Sequence, residues 1–350
     1  MKPISQHSLN QPPPKFAIIG AGISGITAAR TLADHGYPVE VFEKSRGVGG
    51  RMATRRTPDG AFDHGAQYFT VRDSRFQKHV RNWIKLGLVA PWPNGDQGED
   101  QNIVSLSGGN AAPVSNAPQR LVAVPAMNAI CKHLAQNLTV QKNTRIAAID
   151  RTPNQIQLID DTQNLVGRFD QVVVSTPAEQ AAELLKQFTG LAKTISTVQM
   201  DPCLTAMATF KNPLSQDWCG AFLNESFLTW AARNNSKPGR TATLDHLILH
   251  ASPSWSSQYW DEKPDHFFHK MLNEFWRVSG IPKQETVSET THRWKFSVSP
   301  SSLTRDCLYE PKLGIAVCGD WVAGNRVEGA FLSGKAAADH ILNSIVNVQQ

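Results

Sequence analysis

Phe16-Ala17-Ile18-Ile19-Gly20-Ala21-Gly22-Ile23-Ser24-Gly25, then an alanine-rich run, then Val39-Glu40-Val41-Phe42-Glu43, is the stretch that decides the fold of this chain. The apolar run from Phe16 to Ile19 closes on a glycine and has the length of a buried strand. Gly20, Gly22 and Gly25 stand at G-x-G-x-x-G spacing. The first makes a tight turn, the second lets a pyrophosphate approach the backbone, and the third lets a helix pack on the sheet. The spacing predicts a helix over 23–33, whose free N–H groups and positive dipole end face that turn. Gly36 stands where its C-terminal cap belongs. Glu43 ends the second strand, an acid placed for ribose hydroxyls about 20 residues on. A glycine-rich turn without a ligand accounts for less of this set than a complete dinucleotide-binding βαβ unit does.

Working outward, Lys44-Ser45-Arg46-Gly47-Val48-Gly49-Gly50-Arg51 follows at once. Successive N–H groups without side chains make a second anion nest. Arg51 can add a charge-assisted contact to phosphates or to a flavin edge. At the other end, Leu313 to Cys318 reads as a buried strand delivering Gly319-Asp320, and Arg326-Val327-Glu328-Gly329-Ala330 opens a helix reaching Ile341. Asp320 can accept a ribityl hydroxyl. The helix start at Val327, Glu328 and Gly329 can face a flavin pyrimidine, where reduction places negative charge. One cofactor bracketed by two glycine turns accounts for both ends of the chain.

The 350 residues suffice for two intertwined domains with buried cores. The net charge of +5 is modest and its cations are scattered, which gives nucleic-acid binding little support. Five cysteines, an odd number without C-x-x-C spacing, argue against a disulfide framework and a cysteine zinc site, and suit a reducing, cytoplasmic setting. No apolar run reaches membrane-spanning length. Residues 1–14, with Pro12-Pro13-Pro14, read as a disordered lead-in rather than a signal peptide.

Periodicity predicts a helix near 76–86, and an irregular excursion over 91–119 with one short strand. It also predicts a helix from Pro125 to Leu138, a β-meander over 139–170, a buried strand at 171–176 and a helix over 179–188. Strand signals recur at 198–210, 227–232, 244–250 and 290–297, with a helix over 264–278. The fold class is α/β: a Rossmann-type domain, FAD-binding by its resemblance to the amine-oxidase-like flavoproteins, with a second α+β substrate domain on a mixed or antiparallel sheet. The FAD-binding domain takes residues 15–75, 120–189 and 305–350; the substrate domain takes 76–119 and 190–304.

The string Lys44 to Met52, followed by Asp63-His64-Gly65-Ala66-Gln67-Tyr68-Phe69-Thr70, resembles the bacterial renalases, within the amine-oxidase-like flavoproteins. The resemblance covers nearly all of the chain after Lys15. It implies non-covalent FAD, with Gln67 and Tyr68 at the flavin and further cofactor contacts at Ser24, Lys44, Arg46 and Ile146. It implies oxidation of the 2-dihydro and 6-dihydro isomers of NAD(P)H, with O2 reduced to H2O2. Asn234 and His250 are then expected at the nicotinamide carboxamide, and Trp294 beside the dihydropyridine. From their residue types alone, the three read as a turn asparagine, a core histidine and a core tryptophan. No metal constellation is expected. A flavin amine oxidase or porphyrinogen-type oxidase, which commonly uses an aromatic cage and a lysine near the flavin, stays open, Lys295 being available. So does a flavin-binding sensor without turnover. Oligomeric state is left open.

Overall fold

In the computed structural model, which describes residues 12–93, 102–114, 118–153, 155–240 and 243–349, the glycine stretch lies at the centre of a six-stranded sheet. The lead-in expected at the N-terminus lies outside the described residues as far as residue 11. The sheet order is Leu308–Glu310, Ile315–Val317, Gln171–Val174, Phe16–Ile19, Val39–Glu43, Thr139–Lys142. All neighbours are parallel except the first pair. Phe16 pairs with Val39 on one side and Gln171 on the other, and the buried apolar runs cover both faces of the sheet. The helix Ile23–Asp34 packs on the C-terminal helix Val327–Gln349. Their contact is close because Gly334 meets the Ser24 carbonyl, where a Cβ would stand 2.0 Å from the oxygen.

The second sheet has seven strands, in the order Thr286–Val298, Asp201–Phe210, Asp245–Ala251, Leu228–Arg233, Gly220–Leu223, Ile103–Ser107, Asn110–Pro113. One face is covered by the helix Pro264–Ser279, whose Phe267, Phe268, Met271, Leu272 and Phe275 fill an apolar layer. The opposite face looks toward the first sheet.

Several elements differ from expectation. The helix expected from Pro125 begins at Ala129, after a turn closed by the Ala129 N–H on the Ala126 carbonyl, with the Met127 N–H given to the Asp63 carboxylate. Thr139–Lys142 does not join the meander. It pairs with Val39–Glu43, leaving Ile146–Arg151, Ile156–Asp160 and Leu165–Phe169 as a three-stranded sheet. Among its described residues the 91–119 excursion holds the strands Ile103–Ser107 and Asn110–Pro113, and Gly220–Leu223 and Leu308–Glu310 carry too little pattern to be read as strands. The helix Ser74–Lys85, assigned by sequence largely to the substrate side, turns Phe76 and Trp83 onto Phe331 of the C-terminal helix, with ring centroids 5.1 Å and 5.5 Å away.

Candidate active site

A cleft of about 2210 Å³ runs between the two sheets, well above the roughly 1,000 Å³ upper range of small-ligand pockets. Its phosphate end is made of backbone. Gly20 (φ 104°) and Gly49 (φ 124°) hold conformations that L side chains rarely adopt. A Cβ on Gly22 would meet no protein atom and would stand in the cleft, whereas one on Gly25 would lie 2.1 Å from the Gly20 carbonyl. Gly22 therefore leaves room for a ligand, and Gly25 lets the helix close on its own turn. That helix begins at Gly22 with neither a capping side chain nor an acid in its first turn, so its N–H groups are offered to the cleft.

Glu43 is buried, and its two carboxylate oxygens accept from the Ala21 and Ser45 N–H groups, each at 2.8 Å. It thereby ties the first glycine turn to the second. Ser24, Lys44, Arg46, Gly50, Tyr68, Ile146 and Val327 also line the cleft. Arg51 forks onto Asp320 at 2.7 and 2.5 Å and donates to the Ser297 carbonyl at 2.9 Å. One side chain thus clasps the second glycine cluster, the C-terminal turn and the seven-stranded sheet. A carboxylate has about four lone-pair sites, so Asp320 keeps acceptor capacity for a hydroxyl.

Four expected cofactor residues do not line the cleft besides Asn234. Gln67 is buried behind it: its Nε2 donates to the Asp63 and Gly65 carbonyls and its Oε1 accepts from Lys237 at 3.0 Å. Glu328 accepts the Arg72 and Asp73 N–H groups at 2.7 and 2.8 Å, fixing the segment before Ser74–Lys85. Gly25 and Gly329 act by close packing; a Cβ on Gly329 would stand 2.0 Å from the Gly324 carbonyl. Asn234, expected at the substrate, is fully buried. It donates to the Ala61 carbonyl at 2.7 Å and accepts from the Asp63 N–H at 3.3 Å, so it fastens the Gly60–Phe62 strand.

Behind Gln67 lies a network that local sequence does not reveal. Asp63 accepts from Thr54 Oγ1 at 2.6 Å, the Met127 N–H at 3.0 Å, and Arg240 Nε and Nη2 at 3.0 and 2.7 Å; Lys237 Nζ is 3.6 Å away. Burial alone would push the Asp63 carboxyl up, but Lys237, Arg240 and these hydrogen bonds hold it below the usual carboxylate range. Burial lowers Lys237 to about 8, against the attraction of Asp63. Lys237 sits 5.4 Å from the Trp92 ring centroid, away from the cleft wall.

The ring end of the cleft is made of side chains. On Thr286–Val298, His292, Trp294 and Phe296 bring the aromatic rings to the cleft, and the intervening Arg293 and Lys295 also reach its lining, Arg293 with its guanidinium over Phe267. Trp294 Nε1 donates to the His64 carbonyl at 3.0 Å, and His250 Nε2 lies 3.0 Å from the same oxygen. His250 and Trp294 thus both reach the cleft wall, each held by one backbone carbonyl. Burial lowers His250 to about 4; burial, His292 and Arg55 lower His64 to about 3; burial and Arg55 lower His292 to about 4. All three are neutral near pH 7. Cys318 is fully buried, its thiol pushed up to about 12, and it packs as an inert core residue. Among the described residues no cluster of His, Cys, Asp or Glu could hold a metal ion, and no helix is long and apolar enough to cross a membrane.

This fold and cleft are those of a dinucleotide-binding protein with a second sheet closing over the cofactor cleft. Residues 114–342 match the family described as "Flavin containing amine oxidoreductase", and residues 18–85 match an NAD(P)-binding Rossmann-like domain. The chain belongs to the flavin containing amine oxidoreductase family, and its cofactor is FAD. A 4,4'-diapophytoene desaturase (4,4'-diaponeurosporene-forming) of Staphylococcus aureus (strain Newman) is 45% identical over 59 residues, 17% of this chain and 12% of that protein. The chain thus spans about an eighth of that curated relative. Among solved structures, a protein assigned as a protoporphyrinogen oxidase from Exiguobacterium sp. 255-15 is similar with a TM-score of 0.75 at 13% identity, over 97% of this chain and 100% of that one. Cyclohexylamine oxidase from Brevibacterium oxydans IH-35A gives 0.73 at 14%, over 96% and 100%. Reduced UDP-galactopyranose mutase gives 0.72 at 13%, over 95% and 94%. Neighbours that include both oxidases and a mutase establish a shared fold and leave the reaction to the site.

Proposed function

We propose that this protein is a renalase-like oxidase of 2-dihydro and 6-dihydro isomers of NAD(P)H, holding FAD without a covalent bond. When bound, FAD supplies the hydride acceptor and passes the two electrons on to O2. The balance is dihydronicotinamide plus O2 plus one proton giving NAD(P)+ plus H2O2; the ring loses one hydride and becomes a pyridinium.

The observation that carries this reading is the ring end of the cleft: Trp294 beside three neutral imidazoles, with Arg55 acting on two of them. A flat indole suits a flat dihydropyridine. The donor is already enamine-like, so its oxidation needs orientation more than a base. The glycine nests and the uncapped helix of the first sheet would hold the FAD pyrophosphate, Glu43 its ribose end, and Asp320 its ribityl chain. Lysines and arginines outnumber carboxylates along the cleft, which suits an anionic dinucleotide and opposes an ammonium substrate.

Lys295 also lines the cleft, and this keeps an amine or porphyrinogen oxidase as the second reading. The test is peroxide formation in air. Each purified isomer should yield one H2O2 per NAD(P)+ formed, and benzylamine none. Peroxide from benzylamine alone would transfer the protein to the amine-oxidase reading.

A further inference from the structure

Of the two residues expected at the carboxamide, one is unavailable and the other keeps only its Nδ1 for a ligand. Asn234 is spent on the Gly60–Phe62 strand, and His250 Nε2 is engaged by the His64 carbonyl. The cleft wall offers a different pair. The His64 and His292 rings stand edge to face, with centroids 4.7 Å apart and planes at 88°. Trp294 lies 4.9 Å from His64, tilted 30°, and 4.3 Å from His292. All three line the cleft. His64 Nδ1 is buried beside the Phe62 backbone, which acts on the ring as a hydrogen-bonding neighbour, so Nε2 is the nitrogen left to face a ligand in the cleft. Arg55, which acts on both rings, is anchored through Nη1 to the Thr291 carbonyl at 2.9 Å.

We infer that His64 and His292 together read the carboxamide of the substrate: one imidazole N–H donates to the amide oxygen, one bare imidazole nitrogen accepts from the amide NH2, and the pyridine ring lies against Trp294. This rests on the dihydronicotinamide reading above and adds two positioning residues to it. The chemistry is one of matching patterns. A carboxamide presents an acceptor and a donor, and a neutral imidazole carries one of each. Two imidazolium rings would present donors only and leave the NH2 unpaired, so the neutral state that burial and Arg55 impose is the one an amide needs. The rings come from distant segments, His64 from the loop after Gly60–Phe62 and His292 from Thr286–Val298, so the pair exists only in the folded cleft.

The test uses the FAD-loaded full chain and β-NAD+, the product bearing the same carboxamide, as the probe. Its Kd is measured by calorimetry for wild type, His64→Phe, His292→Phe and His292→Gln, with FAD content as the folding check. An amide left facing apolar rings loses a hydrogen bond, so each Phe variant should weaken β-NAD+ by about tenfold or more. His292→Gln, which keeps a donor and an acceptor, should recover most of that loss. The limiting anaerobic bleaching rate with the 6-dihydro isomer should change less than Kd does. If His64→Phe fails to hold FAD, the two His292 variants decide alone. Unchanged Kd in the Phe variants, with wild type still bleached by the isomer, overturns the inference and leaves the functional reading standing. A wild type that neither binds β-NAD+ nor is bleached by either isomer overturns both.

Discussion

The two ends of the cleft are made of different material. The phosphate end is backbone: Gly20, Gly22, Gly49 and Gly50 with the start of one helix, all within some thirty residues of sequence. The ring end is side chain: His64, His250, His292 and Trp294, brought together from three separate segments through one carbonyl oxygen and several ring contacts. A site made of backbone needs glycine at fixed local spacing and is sensitive to single atoms. A site made of side chains tolerates local change and depends on the packing behind it.

The largest effect separates two glycines within the first end. Gly25→Val should abolish FAD retention and soluble yield, because its Cβ would stand 2.1 Å from the Gly20 carbonyl and 2.3 Å from Ser175 Oγ. Gly22→Ala should fold normally and weaken FAD by about tenfold or more, since its methyl enters only the cleft. Equal melting temperature and equal FAD affinity in Gly22→Ala and wild type would break the view that this end is shaped for a close-approaching phosphate.

Behind the second end, Asp63→Ala leaves Arg240 and Lys237 buried without their carboxylate. Removing one partner of a buried pair costs about 3–5 kcal/mol, to be read as a loss of unfolding free energy in urea. A loss under about 1 kcal/mol would mean that the network is solvated and not structural.

Glu43→Ala should weaken FAD about tenfold, because it releases both glycine turns as well as removing an acid near the ribose end. An unchanged FAD Kd would detach Glu43 from the cofactor.

A further effect is on acid stability. His250 is at about 4 in the folded chain, below its unfolded value near 6.5, so the unfolded state binds more protons between these limits. Its contribution is full above about pH 6.5 and is lost as the pH falls toward 4. Asp63, held below the usual carboxylate range, loses its own contribution only at lower pH. His250→Gln should therefore flatten the fall in unfolding free energy between pH 6.5 and 4. An unaltered slope would show that His250 is charged or solvated.

The same contrast explains what could be read in advance. The parallel sheet, both glycine nests and the C-terminal helix were legible because their signals are local. Trp294 and His250 reach the cleft wall. His292 could have been found with Trp294, since a strand's period of two puts them on one face. Nothing near Asn234 or Gln67 announces that each is consumed by the Asp63 region, because those partners lie up to 173 residues away in sequence. The Met127 N–H illustrates the same limit: its acceptor is a carboxylate 64 residues away in sequence.

The most direct measurement is anaerobic stopped-flow mixing of the FAD-loaded protein with purified 2-dihydro NAD, 6-dihydro NAD and ordinary 4-dihydro NADH, following loss of flavin absorbance. A wall that fixes the ring by its carboxamide presents one region of it for hydride transfer, within roughly 3–3.5 Å for a near-attack arrangement. The account predicts fast bleaching by the 2- and 6-isomers and bleaching by NADH at least about a hundredfold slower, a difference of about 2.7 kcal/mol in barrier. Bleaching by NADH as fast as by its isomers, or by none of the three, would contradict it.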